Sequence, residues 1–239
     1  MNQASQLQAI RTTLRSLADP EQAKNLQRFF KTGPGEYGEG DRFLGLRIPQ
    51  IRTLVKQLGI VPLATIKSLL RSPLHEERML ALLLMIKRYQ NTDESGQQTL
   101  YRLYLNSTAY INNWDLVDVS AKHIVGDWLY PRSRRPLYTL AKSDSLWERR
   151  IAILATFHFI ARDEFGDSLK IAERLLHDPH DLIHKAVGWM LREIGKRDRK
   201  TEEAFLQRHY RSMPRTMLRY AIERFPEKRR QAYLRGKII

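Results

Sequence analysis

One short segment of this chain recurs. Glu77-Arg78-Met79-Leu80-Ala81-Leu82-Leu83 aligns with Glu148-Arg149-Arg150-Ile151-Ala152-Ile153-Leu154, and Lys185-Ala186-Val187-Gly188-Trp189 aligns with the stretch from Arg150. Each copy comes early in the second helix of a helical pair, just after a turn. The copies are spaced by about 35 residues or a multiple of it, the range of helical-pair solenoids. One such pair cannot bury its own apolar face, so neighbouring pairs must stack. The spacing therefore predicts an all-α helical-repeat solenoid of the HEAT or tetratricopeptide kind, a single domain over residues 1–239. An unrelated bundle of amphipathic helices is the competing arrangement. A solenoid curves, and its concave face, expected here to be basic, is suited to wrapping a duplex.

Between the copies the chain keeps a helical period broken by turn signals at Ala18-Asp19-Pro20, Gly59, Ser72-Pro73, Asn91-Thr92-Asp93, Tyr130-Pro131, Ser143-Asp144, Asp178-Pro179, Met213-Pro214 and Phe225-Pro226. No succession of alternating strands is visible. The exception to the helical pattern is Thr32 to Arg42, where four glycines and a proline forbid a helix. This run reads as a plain loop or as a short hairpin around Tyr37 that reaches toward a ligand. It is not a phosphate loop, because no Gly-Lys-Ser/Thr follows.

Charge narrows the partners. Lys and Arg total 41 against 26 Asp and Glu, a net charge of +15. That imbalance suits DNA, RNA or an anionic membrane surface, and also a merely basic soluble protein. The absence of cysteine excludes disulfides and thiolate chemistry. No signal-peptide core or bilayer-length apolar run is present, so a cytoplasmic protein with no membrane partner is expected.

Three constellations carry potential chemistry. In Asn112 to Trp128, Trp114, Val117, Ala121, Val125 and Trp128 share one helical face, and Asp118 falls on it too. A carboxylate on an apolar face is costly unless it is partnered or used. Pairing with Lys122 or with an arginine of another helix is the structural reading, and a site that needs negative charge is the functional one. Asn113 is suited to cap this helix, and Asp115 in its first turn suits the helix dipole. Next, Trp147, Arg150, Ile151 and Leu154 share a face, which makes Arg150 a partner for Asp118 or for a phosphate. Arg149 points away, toward solvent. Last, Ile183, Val187, Met190, Leu191 and Ile194 form a core face, whereas Trp189 lies with Lys185, Arg192 and Lys196 in a basic stripe. Such a stripe suits phosphate contact and base stacking, or packing of the indole on a neighbouring repeat. Further basic groups, from Lys196 to Lys200 and from Lys228 to Lys237, suit a phosphate-tracking rim. His177, His180 and His184 lack the pattern of a zinc site, and no metal or cofactor is expected.

Taken together and in order, NWDLVDVSAKHIVGDWL, SLWERRIAIL and HKAVGWMLRE resemble the AlkD-type DNA alkylation repair glycosylases, which are HEAT-like repeat proteins. The resemblance runs from about Gln22 to Phe225. It implies hydrolysis of the N-glycosidic bond of cationic alkylpurines, such as 3-methyladenine and 7-methylguanine, in double-stranded DNA by a monomeric enzyme. By resemblance Asp118 matches the catalytic carboxylate, Trp114 and Trp189 the two indoles at the lesion, and Arg150 an arginine beside the DNA backbone. Lys185, Arg192, Lys196, Phe29 and Tyr37 are the further expected DNA contacts. Two departures stand out. Phe29 occupies a position where the family often has tyrosine, and the Gly-rich run around Tyr37 looks like an insertion. Relatives with a hairpin in that region resemble DNA-structure binders. The alternative is thus a non-catalytic binder of branched or distorted DNA, and a third reading is a scaffold for an acidic protein.

Overall fold

The computed structural model describes residues 3–238, and among them there are helices and no strands. An isolated parallel bridge joins Arg42 to Leu74. The chain forms two compact units, one ending at Ser120 and the next beginning at Ala121.

The first unit contains α1 (Gln3–Ser16), α2 (Pro20–Phe29), α3 (Ile48–Leu58), α4 (Leu63–Leu70), α5 (His75–Tyr89), α6 (Glu94–Leu105) and the start of α7 (Trp114–Ala121). The turn signals act as helix punctuation. Asp19 accepts from the backbone N–H groups of Glu21 and Gln22 ahead of α2, and Asp93 accepts from that of Gly96 at the start of α6. Gly59 ends α3 with φ of +66°, a conformation open to glycine. The centre of the unit is α5, where every residue from Met79 to Ile86 is buried. A helix apolar all round must be enclosed, and α3, α4 and α6 pack around this one.

The Gly-rich run forms a coil of turns rather than a hairpin. Glu36 and Glu39 accept from the N–H groups of Gly33 and Gly35, and Gly38 donates back to the Lys31 carbonyl. These local bonds take the backbone donors that a hairpin ladder would need.

The second unit opens with a π-helical turn (Lys122–Gly126), which interrupts the α-helical register predicted through Trp128. Then follow α8 (Asp127–Leu129), α9 (Arg135–Leu140), α10 (Leu146–Ala155), α11 (Phe157–Ile160), α12 (Gly166–Arg174), α13 (Asp181–Arg197), α14 (Arg199–His209), α15 (Arg215–Ala221) and α16 (Glu227–Leu234). The predicted core face of α13 is fully buried, at most 1% exposed at each of its five positions. It packs on α10, α14 and α15. Gly188 admits α15 closely, since a Cβ there would lie 2.4 Å from the Met217 carbonyl oxygen.

The internal repeat has a structural counterpart. Arg78 donates to the carbonyl of Ser72, six residues earlier, and Arg149 donates to that of Ser143, also six earlier. Ser72 and Ser143 in turn accept from the backbone N–H two residues on. The third copy repeats this with other residue types: His184 donates to the Asp178 carbonyl six residues earlier, and Asp178 accepts from His180 N–H. In each copy a basic side chain in the first helical turns closes the preceding loop. Arg149 is therefore not turned to solvent as expected. It also binds Asp178 at 2.6 Å and is largely buried with it.

Candidate functional site

In the first unit, α7 carries Trp114 and, one turn on, Asp118; both are half-buried. Trp114 stacks on Phe30, with ring centroids 5.1 Å apart, and meets Phe29 edge-on at 5.8 Å. Phe29 is 62% exposed. The Tyr37 hydroxyl donates to the Phe29 carbonyl at 3.4 Å, so the Gly-rich run folds back on the end of α2. Phe29, Tyr37 and Trp114 thus come together. Phe29, Phe30 and Trp114, with Phe43, Met79 and His75 but without Tyr37, line a cavity of about 400 Å³.

Next to Asp118 lies a buried hydroxyl pair: Tyr104 Oη is 2.9 Å from Ser120 Oγ, and Ser120 donates to the Leu116 carbonyl. Burial, with the Asp118 charge adding to it, pushes the Tyr104 hydroxyl pKa well up, so this pair stays neutral.

The start of α7 is fixed by a charge network that the helical periods do not reveal. Asn113, fully buried, accepts from Trp114 N–H and donates to Asp41. Asp115 accepts from Leu116 N–H, as a first-turn acid should. Beyond that expected role, its other oxygen lies 2.9 Å from His75 Nε2. His75 Nδ1 in turn meets Asp41 at 3.1 Å, and Arg78 donates to the remaining Asp41 oxygen. Burial works against charge on His75, which is 3% exposed, but Asp115 and Asp41 outweigh it and its pKa is pushed up to about 9. Burial likewise opposes charge on Asp41, yet the bond from His75 and the Arg78 guanidinium hold its pKa below the usual carboxylate range. Two cations and two carboxylates therefore balance inside the unit. The imidazole also stacks on Phe43, centroids 4.6 Å apart.

The neighbouring Glu76 accepts from the backbone N–H groups of Leu44, Gly45 and Leu46, and Glu77 binds Arg11. The one signal for all this in the sequence is His75-Glu76-Glu77-Arg78, four ionisable residues in succession at the head of a helix that continues as an unbroken apolar run from Met79 to Ile86. Four successive residues cannot share one solvent face.

In the second unit, Trp189 is half-buried on α13, and its indole N–H donates to Glu193 at 3.0 Å. Its ring meets Phe157 edge-on at 5.8 Å, and the ammonium of Lys122 lies 4.7 Å from the Phe157 ring centroid. The basic stripe around Trp189 is matched by acids. Lys185 pairs with Asp181, Lys196 with Glu193, and Arg192 with Glu223. The expected basic surface is thus partly neutralised by carboxylates of its own and neighbouring helices. Arg150 is 4% exposed and donates to the Leu182 carbonyl, tying α10 to the start of α13. His180 accepts from Leu182 N–H. Among the described residues no group of three or more metal-ligating acids or histidines is placed to hold an ion.

Comparison with known proteins agrees with this architecture. The family described as DNA alkylation repair enzyme matches residues 10–225. No curated protein matches the chain. Among solved structures, a predicted DNA alkylation repair enzyme from Enterococcus faecalis superposes with a TM-score of 0.67 at 18% identity, covering 88% of this chain and 97% of that one. At that identity the likeness speaks for the fold, whereas the sequence match spans nearly the whole chain. The chain therefore belongs to the DNA alkylation repair enzyme family.

Proposed function

We propose that this protein is a monofunctional DNA N-glycosylase, a single-domain monomer that hydrolyses cationic alkylpurines from duplex DNA. The observation that carries the reading is the pairing of Trp114 and Asp118 one turn apart on α7, in a chain of this family. Asp115 is engaged by His75 and the helix start. Asp118 is the carboxylate that matches the catalytic one of the family the chain resembles.

An alkylated purine is already positively charged and leaves without a general acid. The deoxyribose left behind develops oxocarbenium character. A carboxylate held at Asp118 stabilises that charge and orients the attacking water. Trp114 and Trp189 offer electron-rich indole faces to the cationic base and sugar. The clamp of Glu193 on the Trp189 N–H fixes the plane of that ring. Lys185, Arg192 and Lys196 contribute positive charge toward the backbone, with Phe29 and Tyr37 at the edge of the aromatic group. Arg150, buried against the Leu182 carbonyl, reaches a phosphate only by turning outward.

The test is release of 7-methylguanine from alkylated duplex DNA by the wild type and by Asp118→Asn. Release by the wild type, lost in the variant with DNA affinity retained, supports the reading; normal DNA binding without release by the wild type refutes it.

A second reading, a non-catalytic binder of branched DNA, draws on the compact Gly-rich run whose Tyr37 rests on Phe29. Deleting residues 32–42 should then weaken branched-DNA binding more than linear-duplex binding, and equal losses would count against it.

A further inference from the structure

Positive charge is spread unevenly over the chain. Residues 204–238 hold ten lysines and arginines against two acids, so eight of the fifteen net charges fall there. Both acids are already engaged, Glu227 by Arg230 and Glu223 by Arg192 of α13. Neither 204–222 nor 228–238 contains an acid. The cations around Trp189 each meet a carboxylate, whereas this stretch has too few carboxylates to match its own.

The fold gathers these cations instead of dispersing them. The Tyr210 hydroxyl, after α14, lies 3.4 and 3.5 Å from the Gly236 and Ile238 carbonyls, and Arg215 of α15 donates to the Leu234 carbonyl at 2.9 Å. These bonds fold the end of α16 against the α14–α15 turn, which sets Arg235 and Lys237 beside Arg211 and Arg215. Arg211 donates to the Tyr210 hydroxyl at 3.1 Å, so its guanidinium is held in place. Arg219 follows Arg215 one turn along α15. All five cations are exposed. Like charges collected in this way repel, and a polyanion relieves the repulsion.

The surface also says which polyanion. Phe205, Met217, Leu218 and Phe225 are buried, and among the described residues of the stretch Tyr220 is the one large apolar side chain left exposed. A protein partner would want an apolar centre to the patch, and this patch has cations there instead. The patch also adjoins the helix that carries Trp189, since a Cβ on the neighbouring Gly188 would meet Tyr220 of α15. We infer that the α14–α15 turn, α15 and the end of α16 form an accessory contact for the phosphate backbone flanking the nucleotide under repair. The inference rests on the reading of the chain as a DNA-binding protein. It extends that reading to α16, which lies past the residues 10–225 matched by the family.

The slope of log affinity against log salt counts the phosphates a protein neutralises, at about 0.9 for each. The experiment measures that slope by fluorescence anisotropy for the full-length protein on a short unmodified duplex, from about 50 to 200 mM KCl. Arg219→Gln, Arg235→Gln and Lys237→Gln in one chain should lower the slope by about 2 to 3 and weaken binding about tenfold or more at the low-salt end. Arg52→Gln, Lys56→Gln and Lys67→Gln in another chain remove the same charge from exposed positions of α3 and α4, and should lower it by less than about 1. Equal drops in the two variants would make the effect one of net charge and overturn the inference, as would a wild-type slope in the C-terminal variant. No affinity of the wild type for the duplex at low salt overturns the inference and the DNA-binding reading together. Base release enters none of these measurements, so the glycosylase reading stands or falls separately.

Discussion

His75 Nε2 lies 2.9 Å from Asp115 Oδ2, and through this contact α5 holds the first turn of α7, where Trp114 begins. The partnership raises the His75 pKa to about 9 against an ordinary value of 6.5. Between these values the folded chain keeps a proton that the unfolded chain releases. The contribution is therefore complete below pH 6.5 and is lost as pH rises through about 9.

Stability should accordingly decline between about pH 7 and 9.5, with His75 responsible for a loss on the order of 3 kcal/mol. Thermal unfolding across this range, compared in the wild type and His75→Gln, checks it. The variant should be less stable at pH 7 and nearly flat with pH. Parallel curves for the two proteins would contradict the assignment.

Arg149 closes the loop before α10 and binds the largely buried Asp178. Arg149→Leu leaves Asp178 and two loop carbonyls short of a partner. Destabilisation of about 3 kcal/mol is expected in urea unfolding. Arg149→Lys should recover only part of it, because the ammonium cannot reproduce the guanidinium's fork.

Gly188 and Gly166 make opposite predictions for the same substitution. A Cβ at Gly188 would meet the Met217 carbonyl and the Tyr220 Cβ at 2.6 Å, so Gly188→Ala should cost about 1–3 kcal/mol despite alanine's better helix propensity. Around Gly166 a Cβ meets nothing within 4 Å, so Gly166→Ala should be neutral or stabilising by up to about 1 kcal/mol. Urea midpoints of the two variants should move in different directions.

Whatever depends on local spacing was legible in the sequence. Val117 and Ala121 are buried on the face predicted for them, and so is the apolar side of α13. The repeat seen at Glu77 and Glu148 returns as matching loop closures by Arg78 and Arg149. Long-range pairing was not legible. His75 finds Asp41 and Asp115 at separations of 34 and 40 residues, and Arg192 finds Glu223 at 31. Period and propensity identify a face but carry no information on which charge a neighbouring helix brings to it. The π-helical turn at Lys122–Gly126 has the same character, since its five residues show no sign of the wider turn in their periodicity.

The central claim concerns Asp118, and base release tests it most directly. The wild-type protein should release 7-methylguanine from alkylated duplex DNA, and Asp118→Asn should lower single-turnover release by about 100-fold or more while binding the same DNA as tightly. Equal release by the two proteins, or none by a wild type that binds DNA normally, would contradict the account.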